Sequence, residues 1–107
     1  MADRDSLIQK AKLCEQTERY EAMAACMNEV AKMDEPLNTE ERNLLSVGYK
    51  NIIGAKRSSW RVITSIEQKS SDNKAELAKE FRQEIEGELR NACNELLVSE
   101  NYKFLYI

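Results

Sequence analysis

Three cations, Lys50, Arg57 and Arg61, are the residues whose type and spacing best suit chemistry on a ligand. Residues 44–66 contain no Asp or Glu, and none of the three has a carboxylate three or four positions away on either side. A helix turns about 100° per residue, so steps of seven and eleven positions bring them within about 40° of one direction. They form one cationic stripe. An arginine fork donates two hydrogen bonds at once to a phosphate, and a lysine adds a point charge. Gly54 falls on the same face and leaves the backbone uncovered beside Lys50 and Arg57. The chemistry such a stripe offers is anion recognition. Spacing alone leaves open a stripe that is only solvated, or paired with acids on another helix, and for charge runs a solvated face is the commoner outcome. Nucleic acid fits less well, because duplex binding calls for a basic domain and this chain carries a net charge of −3.

Catalysis finds few candidates. The chain has no His, which removes the commonest general base and the commonest metal ligand together. It shows no Gly-rich phosphate loop, no nucleophile elbow and no Cys beside a base. Cys14, Cys26 and Cys93 lie in apolar helical patterns and read as reduced packing thiols. Glu76, Glu80, Glu84 and Glu88 repeat every four residues; this reads as a solvated face, with an ion-pairing surface for a partner helix as the alternative. No enzyme activity, no cofactor and no metal is expected. Ser58 and Ser59 follow Lys56-Arg57, a basic run of the sort that recruits a basophilic kinase.

The elements that position these residues are helices. The chain has 107 residues, is 42% hydrophobic, and holds one Pro and only three Gly, too little punctuation for many strands. Ala, Leu, Glu, Lys, Arg and Gln dominate, all strong helix formers. An all-α antiparallel bundle of four helices in a single domain, 1–107, is therefore expected. The helices run at about 3–19, 20–34, 39–68 and 74–98, followed by a tail at 99–107. Asp3 or Asp5 caps the first, Pro36 ends the second, and Asn38 with Glu41 forms a capping box for the third. Ser70-Ser71-Asp72-Asn73 reads as the turn before the fourth. Four apolar stripes in so short a chain make a modest core, for which oligomerisation is a standard remedy. The polar, acidic start shows no secretory signal, and no apolar run approaches the length needed to cross a bilayer. No membrane insertion is expected, and the cytoplasm, with the nucleus as a further site, is the expected location.

Arg42-Asn43-Leu44-Leu45-Ser46-Val47-Gly48-Tyr49-Lys50-Asn51-Ile52 resembles the 14-3-3 signature without a break. Ala55 to Val62, Ser65 to Lys69, Ala11-Lys12-Leu13, Glu18-Arg19-Tyr20 and Met23 to Met27 are similar to the family as well. The resemblance covers about residues 3–97 and implies an all-helical adaptor whose dimers form a cup with two grooves for phosphoserine or phosphothreonine peptides. By position, Lys50 and Arg57 contact the phosphate with Arg61 beside them, and Asn43, Ser46 and Val47 line the groove wall. The resemblance also implies a dimer in which the first two helices of one chain pack on the third and fourth of the other. Leu13, Arg19, Ser59, Val62, Ile66, Phe81 and Glu88 then fall at the interface, with an intersubunit Arg19–Glu88 pair and Ser59 as a regulatory phosphosite.

Departures from the family bear on these expectations. Family members have nine helices, and their later helices supply an Arg and a Tyr to the phosphate pocket. Ser99 to Ile107 diverges from the family. Family members often pair an acid at the position of Ala22 with a Lys at that of Glu84, a bridge this chain cannot form. The implied partners are phosphorylated proteins and a second 14-3-3 chain, identical or related. The alternative is a truncated dimerisation module that pairs with full-length 14-3-3 chains without competent phosphopeptide binding.

Overall fold

A computed structural model describes residues 3–104 as four helices. They are α1 (Arg4–Gln16), α2 (Tyr20–Ala31), α3 (Thr39–Lys69) and α4 (Asp72–Phe104). Leu105, Tyr106 and Ile107 of the divergent tail, like Met1 and Ala2, lie outside the described residues.

Caps set the helix starts. The Asp3 side chain accepts from the Ser6 backbone N–H at 2.7 Å, so Asp3 rather than Asp5 opens α1. Asn38 accepts from Glu41 N at 2.8 Å while Glu41 Oε1 accepts from Asn38 N at 3.0 Å, a complete capping box. The same Glu41 oxygen lies 2.6 Å from Arg4 Nη2, which ties the start of α1 to the start of α3. That pairing explains how Glu41 can be buried.

The helix ends differ from expectation. α1 stops at Gln16 rather than near Arg19, because Glu18 takes a left-handed φ of 57° and turns the chain. α2 stops at Ala31, ahead of Asp34. α4 begins at Asp72, itself at a φ of 56°, which Asp tolerates better than most side chains. It continues to Phe104 rather than ending near Val98, since no Gly or Pro interrupts residues 99–104.

The core sits at one end. Met23, Met27 and Val30 of α2 are wholly enclosed, against Leu7, Ile8, Ala11 and Cys14 of α1 and Leu44, Leu45 and Tyr49 of α3. Gly48 lets α3 approach α2 closely: a Cβ there would lie 3.3 Å from the Ala24 backbone nitrogen. α4 buries Ala78, Ile85 and Ala92, a seven-residue repeat suited to lying along α3. The radius of gyration, 16.9 Å, exceeds the ~13 Å of a compact domain this long. α3 and α4 project beyond the core as a two-helix arm. No helix among the described residues is long and apolar enough to cross a membrane.

Candidate functional site: a cationic helix face and an apolar crevice

α3 distributes its cations by direction. Lys56 turns toward α4, where its Nζ lies 2.9 Å from Glu88 Oε1. Lys50, Arg57 and Arg61 are exposed and form no salt bridge among the described residues. Gly54, on the same face, is open to space. Seven and eleven residues at 1.5 Å each set Arg57 about 10 Å and Arg61 about 16 Å from Lys50 along the axis. Asn43, two turns before Lys50, is exposed, and Ser46 and Val47, one turn before it, are half-buried. Val47 packs on the core, and its carbonyl accepts from Asn51 Nδ2 at 2.8 Å.

Three acids, Glu67, Glu86 and Glu88, are engaged along the seam between α3 and α4. There Trp60 Nε1 donates to Glu86 at 2.9 Å. Arg82 lies 2.6 Å from Glu67 and 2.9 Å from Glu86. The Trp60 hydrogen bond, then the Arg82 hydrogen bond, hold the Glu86 carboxyl below its ordinary range. Lys56 takes Glu88. Glu76, Glu80 and Glu84 are exposed and form no salt bridge among the described residues. The stripe is thus exposed to solvent and has no salt-bridge partner among the described residues. Among the described residues no group of His, Cys, Asp or Glu is placed to hold a metal ion.

Several apolar side chains are exposed as well. Leu13 is 62% exposed, Val62 60%, Phe81 54% and Ile66 38%. Leu77, four residues before Phe81 on α4, is 66% exposed. Ser59, Phe81 and Glu88 line one crevice of about 430 Å³, together with Glu18, Tyr20 and Ile85. Leu13, Val62 and Ile66 lie outside it, and Arg19 stands exposed at the turn between α1 and α2. Glu88, expected to face another chain's Arg19, is already bonded to Lys56 of its own chain.

Sequence reasoning also missed a polar cluster behind the cationic face. The buried Tyr49 hydroxyl accepts from Asn28 Nδ2 and donates to Glu95 at 3.2 Å, while Ser99 donates to Asn28 Oδ1. Burial, reinforced by the Glu95 charge, pushes the Tyr49 phenol up to about 12. The cluster joins α2, α3 and α4. No local pattern announces it, because its members lie up to 71 positions apart. Of the missed contacts only Arg82–Glu86, an i,i+4 pair, was open to reading from spacing.

The chain is similar to known proteins over most of its length. The family model described as "14-3-3 protein" matches residues 10–101. The chain is 57% identical over 97 residues to 14-3-3 protein zeta of Xenopus laevis, a match that takes in 89% of this chain and 40% of the relative. The chain thus spans about two fifths of the length of that relative.

Proposed function

The chain belongs to the 14-3-3 family, and on that footing we propose that it is an adaptor that binds phosphoserine or phosphothreonine segments of other proteins. The observation that carries this is the exposed α3 face of Lys50, Arg57 and Arg61, free of any salt bridge among the described residues. Lys50 and Arg57 grip the phosphate and Arg61 extends the positive field, while Asn43, Ser46 and Val47 border the peptide. The role is binding rather than catalysis, and it needs no cofactor.

Titration of a labelled phosphoserine peptide and its unphosphorylated twin tests the reading. The phosphorylated peptide is expected to bind more tightly, and Lys50→Glu to weaken it at least tenfold, since a charge-assisted hydrogen bond contributes about 1.5–3 kcal/mol. Equal affinity for the two peptides, or an unaffected Lys50→Glu variant, refutes it.

A second reading rests on the exposed Leu13, Val62, Ile66 and Phe81. These residues, with Arg19, Ser59 and Glu88, form the face through which two chains associate, either two copies or this chain and a longer relative. Should phosphopeptide binding fail while association persists, the chain is a dimerisation module. Phosphate on Ser59 would place a charge of about −1.5 to −2 in that contact. Ser59→Glu is accordingly expected to sediment as a monomer at concentrations where the unmodified chain is a dimer. A dimer of unchanged strength removes Ser59 from the interface.

A further inference from the structure

Two crevices meet at the bridge between Lys56 and Glu88. One, of about 320 Å³, lies beside Tyr49 and Ala92. The other is the 430 Å³ crevice beside Ser59 and Phe81. Glu21, Ile52, Lys56 and Glu88 line both, so the bridge stands as a strut across what is otherwise one trough between α2 and α4. Within the bridge Lys56 is the more covered partner, with 21% of its side chain exposed against 56% for Glu88. Lys56 is also the one cation among the described residues lining the larger crevice, facing Glu18, Glu21 and Glu88.

Charge arithmetic gives this strut a consequence. A carboxylate joined to an ammonium presents a dipole rather than a net charge, and an approaching cation gains little from it. Arg19 is exposed and forms no salt bridge among the described residues, so on the association reading above it is a cation a second copy can bring to this crevice. We infer that Lys56 competes from within the chain for the carboxylate that a second copy's Arg19 must reach, so that the charge on Lys56 sets how tightly two copies associate. This rests on the proposal that copies associate through the crevice beside Ser59 and Phe81. Neutralising Lys56 frees Glu88 from its partner within the chain and returns it to an incoming guanidinium. The bridge is thereby a set point for self-association.

Sedimentation equilibrium of the full chain at low and high salt tests this. Four variants are compared with wild type: Lys56→Gln, Lys56→Met (which keeps the apolar stem), Lys56→Arg and Glu88→Gln. The dimer Kd of Lys56→Gln and Lys56→Met is expected to fall roughly three- to fivefold at low salt, the scale of an exposed ion pair. The gain should shrink as salt rises. Lys56→Arg should keep the wild-type Kd, and Lys56→Gln should yield no gain when combined with Glu88→Gln. A wild-type dimer that fails to tighten in Lys56→Gln and Lys56→Met overturns this inference alone, as does a gain that survives in the Glu88→Gln background. A monomer for wild type and every variant overturns the association reading and this inference with it.

Discussion

Within α3, residues 39–49 supply Glu41, Leu44, Leu45, Gly48 and Tyr49 to the interior, while residues 50–69 supply no buried residue. The helix is unbroken across the division. The first part is covered by α1 and α2 and closes a core. The second, beyond Ile52 and Ile53 that still pack on the core, lies along α4 at a seam of ion pairs and buried Ala78, Ile85 and Ala92, and leaves both flanks open. One flank carries Lys50, Arg57 and Arg61, the other Val62 and Ile66. A helix buried on several sides keeps little open surface, here Asn43 with the half-buried Ser46 and Val47, whereas one covered on a single side exposes most of its own. The arm therefore holds most of the surface proposed for partners, and the core end holds it in place.

The largest effect expected from this contrast is on folding. Met27 is 0% exposed at the centre of the core end, whereas Phe81 on the arm is 54% exposed. Met27→Ala should cost about 2–5 kcal/mol, a large share of the stability of a domain this small. Phe81→Ala should cost well under 1 kcal/mol in the dilute chain, because its side chain is already largely in water. Urea unfolding at low protein concentration checks both. Equal losses would mean that the arm is buried in the isolated chain and that the division of labour is wrong.

Much of this division could be read in the residues. The acid-free stretch over 44–66 pointed to the cationic face, and the Asn38–Glu41 pair fixed the start of α3. Both are local patterns, legible wherever a helix carries its own caps and charges. The ends of α1 and α4 were harder. Glu18 turns the chain left-handed without the glycine that usually marks such a turn. Residues 99–104 diverge from the family yet stay helical, since unfamiliar residues are not helix breakers. Hardest were contacts fixed by the register of one helix on another. Lys56 and Glu88 are 32 positions apart, and nothing in spacing alone separates Lys56, which turns to α4, from Arg57 beside it, which does not.

An intermediate effect belongs to the junction between the two parts of α3, where Tyr49 joins α2 and α4 through Asn28 and Glu95. Its phenol is raised from an ordinary value near 10 to about 12, so the folded state favours the neutral form. The sign follows from linkage. Below pH 10 both states hold the proton and the contribution is fully present. Above pH 10 the unfolded chain releases it first, and stability falls until the folded value is reached. Between pH 9 and pH 11 the wild type should lose roughly 1 kcal/mol more than Tyr49→Phe, in which no phenol titrates at that position. Urea titrations at the two pH values give the comparison, and the lysines and other tyrosines cancel because both proteins carry them. Identical losses would show that Tyr49 ionises as freely folded as unfolded, and that the cluster does not clamp the junction.

The smallest effect sharpens the contrast from the arm's side. Thr64 lies in the second part of α3, and its Oγ1 is enclosed without a hydrogen-bond partner among the described residues. An enclosed hydroxyl that has given up water and gained nothing costs free energy, whereas a methyl in its place does not. Thr and Val are both β-branched and have similar helix propensities, so Thr64→Val changes little else in the helix. The substitution should raise stability by roughly 0.5–1 kcal/mol, seen as a higher urea midpoint with an unchanged slope. Such a gain would be at odds with a core refined for stability and in keeping with an arm whose seam is only loosely optimised. A lower midpoint would mean that the hydroxyl is satisfied in solution, by water or by its own turn of helix. The seam would then be as complete as the core, leaving exposure alone to separate the two parts of α3.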